Sequence, residues 1–265
     1  MRDLPPGWAT DLAVLEHSGS NIEEHESYLL VRSPNNPGFH WGNCVFVTDP
    51  DAVNDATRWV KTFKSAFPNA NWVSVGLIQM PADQDGWVSH GLTLEPDDVL
   101  TTRSLPRQLP LPDGYTVRRL SGQDWAQSAA ASMAENLRTK KYEAQTQDRF
   151  TQAQMRTRAE LSERNVGAWF GAFAGDKLVA DLGIVVCGTT ARYQSVGTDE
   201  GHRRRGLASH LLGVAARWSA DQGCDRWVII TEAANPAGRV YRSLGFAPDV
   251  GNARAYRSTA EETSD

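Results

Sequence analysis

The stretch Val196–Leu212, VGTDEGHRRRGLASHLL, decides how the rest of the chain is read. A short apolar strand ends near Val196. A turn rich in acid, glycine and arginine follows. Gly206 then opens a helix whose apolar residues Leu207, Leu211, Ala215 and Trp218 recur at helical spacing. A helix start leaves its first backbone N–H groups without partners and carries the positive end of the helix dipole. Beside three arginines, Arg203, Arg204 and Arg205, that end is suited to an anion such as a pyrophosphate.

Outward from this stretch, the chain has 265 residues, enough for one large domain or two ordinary ones. Hydrophobic residues make up 40% and charged residues 22%, a globular composition with material for a core. The net charge of −5 argues against a general nucleic-acid binder, so the arginine cluster is local. Cys44, Cys187 and Cys224 are scattered and odd in number, which fits small buried residues better than disulfides or a zinc site. No apolar leader opens the sequence and no run reaches the ~18 residues of a membrane span. The expectation is a cytoplasmic monomer or homodimer with no metal and no nucleic-acid or membrane partner.

Ser104–Asp113 (SLPRQLPLPD) holds three prolines in ten residues and reads as an extended connector. The expected units are therefore an N-terminal domain over 1–103, this linker over 104–113, a second domain over 114–257 and an acidic tail over 258–265. The second domain reads strand, two helices, three antiparallel strands, helix, strand, helix, strand. Gly175-Asp176 joins two of those strands as a tight hairpin. The fold class is α/β (α+β) with a mixed, mostly antiparallel sheet flanked by helices. A ligand belongs where neighbouring strands part at their C-terminal ends. The first half, 26–103, shows a shortened version of the same order, with its last strand (92–103) broken at Glu95-Pro96-Asp97-Asp98.

Arg203-Arg204-Arg205-Gly206-Leu207-Ala208 resembles the Arg/Gln-x-x-Gly-x-Gly/Ala signature of the GCN5-related N-acetyltransferases (GNAT). Asn235-Pro236-Ala237-Gly238-Arg239-Val240-Tyr241-Arg242-Ser243-Leu244-Gly245-Phe246 is similar to that family's Asn…Tyr…Leu-Gly-Phe segment at matching spacing. Two motifs in register within the right element order carry more weight than either alone. The resemblance implies an N-acetyltransferase that uses acetyl-CoA as co-substrate, the amine attacking the thioester directly. The backbone from Arg204 to Ser209 is then expected to cradle the pyrophosphate. Val196, Gly197 and Thr198 are expected to pair with the pantetheine amides, with a backbone N–H near Val196 facing the oxyanion. Asn235 is expected on the pantetheine arm or as a helix cap before Pro236. Tyr241 is expected to protonate the leaving thiolate, since a phenol of pKa ~10 keeps its proton at pH 7.

A general base is harder to place. Glu232, directly after RWVIIT, is the first choice. Asp199, Glu200 and His202 lie on the loop side, and Tyr193 and Ser195 on one strand face where a water could relay a proton. The strand 190–196 carries no Glu, although many members of the family place one there. An acyl-CoA sensor without a base is the rival reading. A nucleotide-phosphate site is weaker, because no Walker-type Gly-Lys-Ser/Thr occurs. The acceptor is open among a protein N-terminus, a polyamine, an amino acid and an aminoglycoside. The first half carries no Arg-x-x-Gly-x-Gly/Ala match and is expected to be a degenerate second copy of the fold or an unrelated α/β cap. Its Trp41, Trp59, Trp72 and Trp87 are available as aromatic walls of an acceptor cleft or as core.

Overall fold

A computed structural model describes residues 4–139 and 144–257. The elements run α1 (Pro6–His17), β1 (Asn21–Glu24), β2 (Tyr28–Arg32), β3 (Cys44–Val47), α2 (Ala56–Ala66), β4 (Val73–Leu77), α3 (Asp85–Val88) and β5 (Thr93–Thr102). They continue with β6 (Thr116–Arg119), α4 (Asp124–Thr139), α5 (Ala144–Glu163), β7 (Gly167–Ala174), β8 (Lys177–Cys187), β9 (Thr190–Thr198) and α6 (Leu207–Asp221). β10 (Arg226–Glu232), α7 (Ala237–Ser243), β11 (Ala247–Pro248) and β12 (Ala253–Arg257) complete the chain. The acidic tail, 258–265, lies outside the described residues.

The strands form one mixed sheet in the order β1-β2-β3-β4-β12-β5-β10-β9-β8-β7-β6, with β11 on β5. Each half of the sheet is built on the same plan. β2 and β3 are antiparallel, β3 and β4 are parallel across α2, and β12 closes antiparallel on β4. β8 and β9 are antiparallel, β9 and β10 are parallel across α6, and β5 closes antiparallel on β10. The closing strand of each half thus comes from the other half of the chain. The expected segment 114–257 ends in a strand that belongs to the first half's sheet, so the sheet does not divide at the proline-rich connector.

β5 is continuous through Glu95-Pro96-Asp97-Asp98, where the sequence predicts a break. The strand changes partners there, from β12 at Thr93–Pro96 to β10 at Asp97–Thr102. Proline cannot donate to a ladder and charge disfavours a buried strand, so this junction looks like an interruption in the sequence. Pro96 instead contributes its carbonyl, which accepts from the Ala233 amide at 3.3 Å. β1 (NIEE) has no apolar alternation and is not predicted from sequence. It is an exposed edge strand held by β2.

Helices cover both faces of the second half. α6 lays Leu207, Leu211, Leu212, Ala215 and Ala216 on a core that includes Tyr193, Trp227, Ile229 and Tyr241. α4 and α5 cover the opposite face, with Leu161, Trp169 and Phe173 in their core. α1 lies on that face too, against β8, β9 and β10. Its Asp11 forms a 2.8 Å ion pair with Arg192 of β9, both side chains largely buried at 12% and 10% exposure. The first half has its own core around Trp59, Phe63, Val75 and Trp87.

Candidate functional site

The helix start anticipated at Gly206 is a left-handed turn into α6. Arg204 and Gly206 both hold left-handed backbone, at φ 61° and 82°. A left-handed residue beside a right-handed one, as Gly206 is beside Leu207 of α6, turns successive N–H groups to the same side, the geometry of an anion nest. The first intrahelical bond of α6 runs from the His210 amide to the Gly206 carbonyl. The Leu207, Ala208 and Ser209 amides precede it and have no intrahelical acceptor. Leu207 and Ser209 turn their side chains into the protein, at 1% and 7% exposure, which leaves the backbone to line the cradle.

Two of the three arginines brace the loop. The Arg203 Nε donates to the Thr198 carbonyl at 3.1 Å. The Arg205 guanidinium donates to the Tyr115 hydroxyl at 3.1 Å and the Gly201 carbonyl at 3.4 Å. The Tyr115 hydroxyl also lies 2.8 Å from His202 Nδ1. Asp199 accepts from the Gly201 amide and pairs with Lys177 at 2.8 Å; the Lys177 bond, then the amide, holds its carboxyl below the usual range. Both carboxylate oxygens of Asp199 and the Nδ1 of His202 are thus engaged within and beside the turn.

Upstream, the parallel strands part. β9 and β10 are paired only at Thr190–Arg226, Ala191–Trp227 and Arg192–Val228. Beyond that, β10 pairs with β5 as far as Glu232–Asp97, and β9 pairs with β8 alone. The edge of β9 through Val196, Gly197 and Thr198 thus faces an opening. Its register against β8 jumps from Gln194–Gly183 to Gly197–Asp181. That bulge contains Ser195, a non-glycine residue at φ 50°. Arg158 of α5 donates to the Ser195 hydroxyl from the α4/α5 side. Opposite Gly197 in the register the half-buried Asp181 accepts from Ser128 Oγ at 2.6 Å, and desolvation raises its pKa.

Tyr193 and Ser195 do not share a face. Tyr193 is inside the α6 core, donating to the Leu212 carbonyl at 2.8 Å, and burial raises its pKa well above the phenol range. Alternation along β9 stops at the bulge, so the expected side-by-side relay does not form.

Two chemically different surfaces flank the opening. On the α6/α7 side stands Tyr241, 6% exposed, its ring 6.5 Å from Phe246. Burial pushes its pKa up to about 12, with the Arg192 charge opposing. Asn235 is exposed, and its Oδ1 accepts from the Ala237 amide at 3.0 Å, so in this structure it caps the turn into α7. On the α1 side lies a charged strip. Arg254 of β12 is 2.9 Å from Asp97, 3.4 Å from Glu95 and 3.9 Å from Glu232. Asp97 also accepts from Asn252 Nδ2 at 2.6 Å. Burial, offset by Arg254, brings its pKa up to about 6. Glu232 is 42% exposed.

Asp97, Arg254, Arg158 and Asp181 are absent from the expected site. The sequence signal for Asp97 was present as an acidic pair inside a strand, read there as a break. Arg254 gave none, because only the exchange of β12 brings it to β10.

Two cavities open on the same α1/α5 side. One, of about 280 Å³, is lined by Phe39, Trp41, Ser74, Gln147, Phe150, Arg254 and Tyr256 among others. A smaller one of about 60 Å³ shares Phe39 and Trp41 and reaches Arg158 and Gln194. Of the four tryptophans considered as walls, Trp41 lines both. Trp72 stands behind, stacked on His40 at 4.2 Å. Trp59 and Trp87 are fully buried in the first half, their indole N–H groups donating to the Ala52 and Val53 carbonyls.

The first half lacks the equivalent opening. β3 and β4 stay paired to Val47–Leu77, and the Ile78 amide still donates to the Val47 carbonyl. The N-terminus of α2 is capped by the Asp55 carboxylate, which accepts from the Arg58 amide at 3.0 Å. An acid stands where α6 has a glycine, and it repels an anion. Among the described residues, no group of three or more His, Cys, Asp or Glu is placed to hold a metal, and no helix is long and apolar enough to cross a membrane.

A mixed sheet split between two parallel strands, with a bulge on one edge and a left-handed turn into a helix, defines a protein of the GNAT fold. Residues 131–246 match the model of the acetyltransferase (GNAT) family. No curated protein matches the chain significantly by sequence. Solved structures match over nearly the full length. A GCN5-related N-acetyltransferase from Kribbella flavida superposes with a TM-score of 0.65 at 16% identity, covering 96% of this chain and 95% of the other. A functionally unknown conserved protein from Staphylococcus epidermidis gives 0.68 at 12%, covering 90% and 94%. A tandem GNAT protein from the clavulanic acid biosynthesis pathway gives 0.55 at 11%, covering 92% and 87%. At these identities the likeness is one of fold.

Proposed function

We propose that this chain is an acetyl-CoA-dependent N-acetyltransferase with one working site, in its second half. The observation that carries the reading is the parting of β9 and β10 directly above the left-handed turn at Arg204–Gly206. A pyrophosphate and an extended amide-bearing arm need those two features in that order: clustered amides, then a free strand edge. The amides from Arg204 to Ser209 hold the pyrophosphate, with Ala208 keeping the helix start small. Val196, Gly197 and Thr198 pair with the arm, and the bulge aims a backbone N–H at the thioester oxygen. Asn235 stands near the arm's far side.

The amine nitrogen attacks the acyl carbon from the α1/α5 side, forming a C–N bond as the C–S bond breaks. Tyr241 gives its proton to the leaving sulfur; its raised pKa keeps it protonated throughout the neutral range. The acidic strip takes the amine's proton. Glu232 is the exposed member of that strip, and Asp97 beside it has a pKa of about 6, suited to accepting a proton near neutrality. The first half is read as a degenerate copy of the fold: it repeats the strand plan, keeps its parallel pair closed and caps its helix with an acid. Its contribution is β5, with Asp97, and one wall of the acceptor cavity.

The test is isothermal titration with acetyl-CoA, followed by a free-thiol assay on a panel of amines. Saturable acetyl-CoA binding with amine-dependent CoA release is expected. No binding at millimolar acetyl-CoA would sink the reading, and binding without release from any amine would favour an acyl-CoA sensor.

A further inference from the structure

The larger cavity has a defined chemistry. Phe39, Trp41, Phe150 and Tyr256 contribute four aromatic rings to about 280 Å³. They come from both halves of the chain and from α5, so the cavity exists only in the assembled molecule. Phe39 and Phe150 face each other with ring centres 5.6 Å apart. His40 adds a fifth ring; burial brings its pKa down to about 4, so that wall carries no charge at neutral pH. Among the described lining residues Arg254 is the one charged side chain, and about it stand Glu95 at 3.4 Å, Asp97 at 2.9 Å and Glu232 at 3.9 Å, three carboxylates about one guanidinium. Those acids continue to the end of β10, where the sheet has opened.

We propose that this cavity receives the acceptor, and that the acceptor is a primary amine carried on a flat aromatic body. The inference rests on the N-acetyltransferase reading and names its substrate class. Aromatic walls give a flat ring both area and edge-to-face contacts, which aliphatic chains do not exploit. The three carboxylates about Arg254 outnumber its single positive charge, so that end attracts an ammonium group and turns it toward the end of β10. A polyhydroxylated amino sugar is a poor fit. Its hydroxyls lose water on entry, and Ser74, Thr146 and Gln147 are few neutral polar partners against so many rings. A polyamine brings no ring and needs acids along its length, whereas the acids here lie at one end.

The test titrates the full-length protein with tryptamine and 2-phenylethylamine, and with spermidine, kanamycin and a short peptide as competitors for the same reading. Aromatic amines are expected to bind most tightly and to give the highest kcat/KM. Phe150→Ala is expected to weaken tryptamine binding about tenfold while acetyl-CoA affinity and the circular dichroism spectrum stay unchanged. Should that variant fold poorly, Phe150→Leu keeps the apolar volume without the ring and is expected to move binding in the same direction. Tighter binding of spermidine, kanamycin or the peptide overturns the proposal, as does unchanged tryptamine affinity in the folded Phe150 variants. Acetyl-CoA binding is read in a separate titration, so its absence overturns the transferase reading and is not confused with failure of the acceptor class.

Discussion

Gly206 combines two demands on one residue. Its backbone is left-handed, and an added Cβ would find nothing nearer than Leu109 at 3.9 Å, so space is not the obstacle. The conformation is: a side chain there costs about 1–2 kcal/mol in left-handed backbone. Gly206→Asp adds a carboxylate at the anion cradle, and acetyl-CoA affinity is expected to fall beyond detection in the same titration. Arg203→Ala is expected to act less directly, through loss of its bond to Thr198. Tyr241→Phe keeps the ring packing against Phe246 and removes only the proton. Its kcat is expected to drop by about 10²-fold with acetyl-CoA affinity unchanged; equal turnover would remove the acid role. For Asp97, a base must be ionised, so kcat/KM is expected to rise as pH climbs through about 6 and then level. A pH profile of Asp97→Asn that keeps this inflection would assign the limb to another group. In stability the sign is opposite. A carboxyl whose pKa is raised by folding favours the native state at low pH and loses that contribution as pH passes about 6.

At the scale of elements, the splay of β9 from β10 is stabilised from the α1 side. The Asp11–Arg192 pair sits at the last point of β9–β10 pairing and ties α1 to it. Removing one partner of a buried ion pair leaves a charge in a poorly solvated place, which costs about 3–5 kcal/mol. Asp11→Ala is therefore expected to lower the denaturation midpoint strongly; a shift no larger than that of a surface mutant would show the pair to be well hydrated. Most elements were legible from their periodicity. The helix after Gly206 and the hairpin at Gly175-Asp176 stand where spacing and turn chemistry put them, because both signals are local. The exceptions are instructive. The apolar spacing of Val53, Ala56, Trp59, Val60 and Phe63 predicts one helix over Asp51–Ala66, and the structure divides it into a 3₁₀ turn at Pro50–Ala52 and α2. The sequence predicts an interruption in β5 because its composition changes where its neighbours change.

At the scale of the whole molecule, the exchange of β5 and β12 makes the halves interdependent. Each half's sheet is completed by a strand it does not encode in its own segment. A chain ending before Ala253 leaves β4 and the first part of β5 without their shared partner. That truncation is expected to be insoluble or unfolded, and the intact protein to melt in a single calorimetric transition. Two well-separated transitions would contradict the exchange. The catalytic reading shares this dependence: Asp97 comes from the first half, and Arg254 reaches it only through β12.

By itself, the sequence determined the glycine turn into α6, the succession of strands and helices in the second half, and the place of Tyr241 on α7. Those rest on short-range rules: helix starts, glycine conformations and alternation act over a few residues. Tertiary structure alone decided the partner exchange, the charged strip at Asp97 and Arg254, the separation of Tyr193 from Ser195, and the aromatic cavity. The bulge apart, these depend on contacts between residues more than a hundred positions apart, and no local pattern encodes which distant strand will close a sheet.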